Sequence, residues 1–422
     1  MDNQWIIRNI ILLLSFVFIS FVFFRKEQDA RLNWALFFAS LWVSTLLLLV
    51  NKMSVDIGFW SFNTDETLPI FMPYDLYFIW IVFWAILPVF ILKGRFVLIS
   101  MLCFFWIDIL LMPYLETYHI LQLNEHWLLG ELLLITAVYA PAQIWAYLFL
   151  ENKGLKWRSL FQFLVLGIIY SLGIPFVVYL YFPTDIKWMQ WEGATPYILQ
   201  LAFIILLPAL IAVIDLEQKG KGTPFPYDAT TNLVESGIYA YIRNPIQWSL
   251  TFFFIPLALF FHSYILLTGI IVSIAYTVGV SEPHERGQLE ALFSKTWVKY
   301  KENVPLWYFL WQPKYIPKAT IYIQKNCDHC SQIRQWLEKR KPIHLHFENA
   351  ENFKEGQLLQ MTYQGAYGQY NTSVKSFAHA LEHINLAWAS LGWLMRLPGI
   401  NQLLQLIIDS MGLTDEPKTC EK

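Results

Sequence analysis

Charge is scarce in this chain of 422 residues: Asp, Glu, Lys and Arg together make up 15% of it, against roughly a quarter in ordinary soluble domains. So small a share cannot solvate a folded chain of this size, which excludes a water-soluble globular protein. Cysteine is scarce as well, four in all, and that excludes a small secreted scaffold built on disulfides. Neither sign of charge prevails. Thirty basic and 32 acidic residues leave a formal net charge of −2, so there is no electrostatic footprint for nucleic acid. Internal repeats and low-complexity tracts are absent.

What the chain has instead is apolar and aromatic, 56% hydrophobic with 18% Phe, Trp and Tyr. Apolar runs near 6–24, 32–50, 75–92, 96–113, 129–150, 159–182, 197–215, 246–261 and 263–280 approach or reach the roughly 20 residues a helix needs to cross a bilayer. The fold class is therefore an α-helical polytopic membrane protein of about nine spans. The last two runs, separated by His262-Ser263, are short and predict a tight helical hairpin.

Nine spans place the two ends of the chain on opposite sides, so alternate loops should differ in Lys and Arg. Arg25, Lys26 and Arg31, then Lys93 and Arg95, then Lys153, Lys156 and Arg158, then Lys219, Lys221 and Arg243 fall in alternate loops, whereas the intervening loops hold chiefly Lys52 and Lys187 with several acids. The positive-inside rule predicts an outward amino terminus and a cytoplasmic segment after residue 281. Residues 6–24 lack a small-residue cleavage pattern, and so are expected to be retained as a span. The expected location is a bacterial inner membrane.

Between two apolar runs lies Leu233-Val-Glu-Ser-Gly-Ile-Tyr-Ala-Tyr-Ile-Arg-Asn-Pro245, a stretch composed for close contact with a polar ligand at a membrane surface. Gly222-Thr-Pro-Phe-Pro226 precedes it, and Leu289, Phe293, Trp297, Tyr300, Val304-Pro305 and Trp307 follow. Tyrosines and an arginine at such a boundary commonly form an aromatic belt and a snorkelling anchor. Their order and spacing here point further, because residues 200–312 resemble the isoprenylcysteine carboxyl methyltransferase-like family of integral-membrane methyltransferases. In that family a Gly-Pro-Tyr-x-Tyr-x-Arg-(His/Asn)-Pro segment is followed by a hairpin, an acidic pair and Val-Pro-Arg-Trp. Gly237, Tyr239, Tyr241, Arg243, Asn244, Pro245, Leu289, Phe293, Tyr300, Val304, Pro305 and Trp307 match in order. Ile238 stands for Pro, Gln247 for Tyr, Ser294 for Gly, Trp297 for Tyr and Leu306 for Arg.

The resemblance implies S-adenosylmethionine as cofactor, with a sulfonium cation, a carboxylate and a flat adenine to be met by a carboxylate, an arginine and aromatic rings. Arg243 would hold the cofactor's carboxylate and serve catalysis, and Tyr239 and Tyr241 would pack on the adenosine. Gly237 and Asn244 would join them as cofactor-binding residues, Pro245 would fix the turn into the next span, and Glu282 or Glu285 would take the ribose or the amino group. Related membrane folds hold NADPH with a similar Arg-His-Pro segment, so an NADPH-dependent lipid reductase is the enzyme alternative. Asp108, inside an apolar run, would either pack against Tyr114 or a neighbouring helix or touch a polar acceptor. Glu131 reads as an acid near a helix amino terminus.

From about residue 317 apolar runs shorten and charges return. Ala319-Thr-Ile-Tyr-Ile323 reads as a strand, Cys327-Asp-His-Cys330 as the start of a helix, and Ile343-His-Leu-His-Phe347 as a second strand. That order predicts the opening βαβ of a thioredoxin-like soluble domain. Cys327 and Cys330 would share a helix start, where backbone amides favour a thiolate; zinc would need further ligands, and no metal is expected. Gln364-Gly-Ala-Tyr-Gly-Gln-Tyr370, Ser376-Phe-Ala-His-Ala-Leu381 and Trp393-Leu-Met-Arg-Leu-Pro-Gly-Ile400 resemble the DCC family of thioredoxin-like thiol-disulfide oxidoreductases, although Gln324 and Lys325 replace that family's Asp-Gly before the dithiol.

The expected organisation is a membrane region over 1–195, a methyltransferase-like membrane domain over 196–312 and a thioredoxin-like domain over 317–422. The expected function is S-adenosylmethionine-dependent methylation of a membrane lipid or isoprenoid acceptor, coupled to the thiol domain and a thiol or disulfide partner. A membrane scaffold that merely presents the thiol domain is the non-enzymatic alternative.

Overall fold

Helix dominates the computed structural model, which describes residues 3–25, 29–62, 72–187, 193–225, 230–325, 328–353, 358 and 360–411. Cys327 lies outside them, as do Pro226 and the side chain of Glu285. Among the described residues eight helices are long and apolar enough to cross a membrane. The chain divides into two compact units, Met1–Thr184 and Asp185–Lys422.

The first unit holds six of those helices: α1 (Trp5–Phe23), α2 (Ala30–Ile57), α3 (Tyr74–Leu92), α4 (Val97–Thr117), α5 (Trp127–Leu150) and α6 (Leu155–Tyr181). A short antiparallel pair, β1 (Trp60–Phe62) with β2 (Leu121–Leu123), joins two of their connections. Aromatic rings fill its centre, among them the buried Trp60, Trp84 and Trp145. Trp60 donates its indole N–H to Asn51 at 3.0 Å, and Trp42 donates to the Val138 carbonyl at 3.1 Å. Asp108 is buried on α4, with neither carboxylate oxygen hydrogen-bonded among the described residues; Tyr114 is turned outward. Glu131, one turn in from the start of α5 as expected, is also buried.

The second unit begins with α7 (Thr195–Gly220), followed by α8 (Pro245–Phe260) and α9 (Tyr264–Ser281). The helix α8 is the eighth of the nine expected spans and is shorter than a full crossing. Pro245 occupies its first turn, where its missing N–H costs no helical bond. The connection predicted at His262-Ser263 is tight, and His262 adopts a left-handed φ of 52°. Helix α10 (Glu282–Asn303) continues from α9 and breaks its regular geometry at Ser294, φ 43°. This is the position where the resembling family has Gly, the residue that adopts positive φ without a side-chain clash.

Beyond α10 comes a four-stranded sheet of order β4-β3-β5-β6. Its strands are β3 (Ala319–Ile323), β4 (Leu345–Asn349), β5 (Thr362–Gln364) and β6 (Tyr370–Thr372). The β3–β4 pair is parallel, with α11 (Asp328–Glu338) between them in sequence; β5 and β6 are antiparallel. Three helices follow, α12 (Ser373–Leu381), α13 (Leu386–Arg396) and α14 (Ile400–Ser410). One core unites Ile321, Leu337, Leu381 and Ile384 beneath the sheet, and a second unites Ile211 and Ala212 of α7 with Tyr241, Ala389 and Trp393.

Candidate active site

A cavity of about 220 Å³ opens beside the stretch 233–245, bounded by Tyr239, Arg243, Asn244, Gln247, Glu282 and Trp297, among others. The turn that carries these residues is held by the end of α10 and the segment after it. Arg243 donates its backbone N–H to the Pro305 carbonyl at 2.8 Å, Leu310 donates to the Tyr241 carbonyl at 2.9 Å, and Tyr300 donates its hydroxyl to the Tyr239 carbonyl at 2.8 Å. These bonds give the Val304-Pro305 and Tyr300 positions a physical role: they fix the backbone from which Arg243 projects. Burial pushes the Tyr300 phenol well up, so it stays protonated and remains a donor.

The Arg243 guanidinium lies 3.7 Å from Glu282 Oε1, 3.5 Å from the Lys301 carbonyl and 5.7 Å from the Trp297 ring centre. Glu282 is shared, because Arg286 donates to both its oxygens at 2.7 and 2.8 Å. A cation, a carboxylate and aromatic faces therefore border one cavity, which is the set an amino-acid end and an aromatic base require. At about 220 Å³ the cavity is smaller than the roughly 300–1,000 Å³ usual for small-molecule sites. The chemistry of the lining fits S-adenosylmethionine, and the space would have to widen to take all of it.

Of the residues singled out in the sequence, the cavity gathers Tyr239, Arg243, Asn244 and Glu282. Tyr241 does not line it; fully buried, it donates its hydroxyl to the Glu382 carbonyl at 2.8 Å and meets Trp393 edge-on. Pro245 is buried as the first residue of α8. Gly237 serves a different neighbour: at φ 69° it lies so close to α7 that an added Cβ would come within 2.1 Å of Asp215 Oδ2 and 2.6 Å of Lys219 Nζ. Glu285 sits on α10 with its side chain undescribed.

Asp215 and Lys219 belong to a buried charge cluster that spacing did not reveal. Lys219 Nζ is 3.0 Å from Asp215 and 3.8 Å from Glu382; Arg396 is paired with both Asp215 and Glu382; His379 lies 3.1 Å from Glu382. All five side chains are at most 3% exposed. Lys219, expected as a loop charge, is thus an interior one. Burial by itself would raise the Glu382 carboxyl, yet Arg396, Lys219 and His379 hold it well below its usual range. Burial, aided by the Arg396 charge, lowers His379 to about 4, so it is neutral at pH 7. The sequence signal was Arg396 itself, a cation amid Trp393-Leu-Met and Leu397-Pro.

Glu235 was also missed. It is 9% exposed and its backbone N–H donates to the Tyr367 hydroxyl at 2.7 Å. Burial pushes its carboxyl up to about 7 despite Tyr315 and Lys299. Cys330 is half-buried at the start of α11 and packs against the core beneath the sheet. Further toward the membrane helices, Gln247 donates to Ser273 at 3.0 Å, and Ser273 and Thr251 share a 2.7 Å hydrogen bond, so a polar seam joins α8 to α9.

No curated protein and no solved structure matches the chain. Residues 195–295 match the family model of phospholipid methyltransferase, and this stretch, running from the first residue of α7 to just past the break at Ser294, is the one that supplies most of the cavity and points to an integral-membrane methyltransferase.

Proposed function

We propose that the chain is a multi-pass membrane methyltransferase that uses S-adenosylmethionine to methylate a lipid, isoprenoid or other membrane-associated acceptor. The observation that carries this is the placing of Arg243, Glu282, Tyr239 and Trp297 around one cavity inside the segment that matches phospholipid methyltransferase. When bound, the cofactor would supply the methyl group. Arg243 would hold its carboxylate, releasing part of its contact with Glu282, and Tyr239 and Trp297 would pack on the adenosine. Asn244 and Gln247 would orient polar groups at the membrane side, and the seam through Ser273 and Thr251 would meet the acceptor's head. Alignment and exclusion of water are the main contributions asked of these residues, because methyl transfer is an in-line displacement.

The region from 317 onward is read as a thioredoxin-like domain carrying the Cys327–Cys330 dithiol on the cytoplasmic side of a bacterial inner membrane. Supporting this are the parallel β3–α11–β4 unit and the antiparallel β5–β6 pair. Its coupling to the methyltransferase runs through the Asp215–Arg396–Glu382 cluster, which ties α7 to α13 and to the residue that ends α12.

Calorimetric titration of the purified chain with S-adenosylmethionine and, separately, NADPH tests the proposal. Saturable S-adenosylmethionine binding that is lost in Arg243→Ala is the expected result. Binding of NADPH alone would move the assignment to a reductase, and binding of neither would leave a scaffold for the thiol domain.

A further inference from the structure

Helix α14 turns an apolar face away from the rest of the unit. Leu404 and Ile408 are partly covered where the helix packs back on α12 and α13. Leu403, Leu406, Ile407 and Met411 are 59, 65, 45 and 66% exposed, and at about 100° per residue they form one continuous stripe. Gln402 and Asp409, both exposed, lie at the polar edge beyond Leu406, and Asn401 and Gln405 are half-buried on the side away from the stripe.

The level of this helix relative to the bilayer follows from its neighbours. Helix α7 has 26 residues, about 39 Å at 1.5 Å per residue, which exceeds the roughly 30 Å of hydrocarbon by nearly two turns. Charge is confined to one end of it, Asp215, Glu217 and Lys219, so that end is taken to reach the head-group level, with Leu207 to Ile214 in the apolar zone. Ala389, Trp393 and Leu397 share a core cluster with Ile211 and Ala212, and Leu207 and Leu210 pack against that cluster. Thus α13 sits beside the membrane end of α7. Only Leu397-Pro-Gly399 separates α13 from α14, with Gly399 at φ 85° making the turn.

We propose that α14 lies in the membrane interface, with Leu403, Leu406, Ile407 and Met411 inserted at the boundary between head groups and acyl chains. The helix bears no Lys or Arg, so its contact is with the apolar boundary itself and does not depend on anionic lipid or on salt. The carboxyl-terminal region is then seated on the bilayer at two points, through α13 against α7 and through α14 directly.

Photocrosslinking tests this on the full chain reconstituted in phosphatidylcholine vesicles. Benzoylphenylalanine is placed at Leu403, Leu406, Gln402 or Asp409, and the adducts are identified by mass spectrometry. Lipid adducts several-fold more abundant at Leu403 and Leu406 than at Gln402 and Asp409, unchanged by added phosphatidylglycerol or by 0.5 M salt, are expected. Equal lipid yields at all four positions would overturn the proposal. Chain-to-chain adducts at Leu403 and Leu406 would overturn it in favour of a second copy as the occupant. All four positions are on the helix surface, and retention of the elution profile of the unsubstituted chain controls for folding.

Discussion

Two arginines of the second unit face carboxylates in different settings. Arg396 is enclosed with Asp215, Glu382 and Lys219, every charge met at close range and none reachable from outside. Arg243 borders a cavity, its distances to Glu282 and the Lys301 carbonyl are 3.7 and 3.5 Å, and Glu282 is shared with Arg286. The same pair of residue types thus builds an enclosed joint in one place and a cavity wall in the other. Ions satisfied by the protein hold it together, whereas ions at a cavity wall can trade a protein partner for a ligand.

Substitutions break the comparison in opposite ways. Removing the enclosed cation with Arg396→Met leaves two buried carboxylates with Lys219 alone, and about 3–5 kcal/mol of stability should be lost, read as a collapse of the thermal transition of the purified chain. Gly237→Ala should cost about 1–3 kcal/mol through its left-handed backbone, since its Cβ would also run into Asp215; a wild-type melting temperature would show that α7 can withdraw. Arg243→Ala should leave melting nearly unchanged and weaken S-adenosylmethionine binding by about 1.5–3 kcal/mol, the range for hydrogen bonds to charged groups, or roughly 10- to 150-fold by calorimetry.

Acidity sharpens the same contrast. Buried His379 and His383 titrate near 4 in the folded chain against 6.5 when free, so the unfolded chain binds more protons in that interval and stability falls as pH drops from about 6.5 toward 4. Glu235 acts with the other sign: its folded value of about 7 lies above 4.5, so its contribution is present below 4.5 and lost as pH rises through 7. In a series of melts against pH, Glu235→Gln should remove the loss on the neutral side and leave the acid limb intact. The smallest effect is a gain, because Ser294→Gly relieves a residue at φ 43° and should add up to about 1 kcal/mol in the same melts.

The spans were legible because a bilayer demands length and apolarity, both local properties of the sequence. Arg243, Asn244 and Glu282 were legible as neighbours on one cavity because the motif shared with the resembling family sets polar residues where the surrounding sequence is apolar; their role toward a cofactor is the proposal. Tyr241 was not: a tyrosine two residues from a cavity-lining arginine reads alike whether it faces the cavity or, as here, the Glu382 carbonyl. The charge cluster was hidden for a related reason. Asp215 and Lys219 four residues apart resemble an ordinary surface pair, and their partner Arg396 lies 181 positions from Asp215, a pairing that only tertiary packing decides. The break at Ser294 was half visible, as a Ser where the resembling sequences have Gly, but the positive φ that explains it belongs to the backbone alone.

The most direct test is transfer of label from S-adenosylmethionine carrying an isotopic methyl group, with the full chain in membranes supplemented with a total lipid extract. The expected result is labelled lipid in the organic phase with the wild-type chain, and a loss of at least tenfold in Arg243→Ala, consistent with about 1.4 kcal/mol or more of lost cofactor binding. Wild-type membranes that bind the cofactor yet label no lipid would contradict a lipid acceptor, and label transfer untouched by Arg243→Ala would contradict the assignment of this cavity as the site.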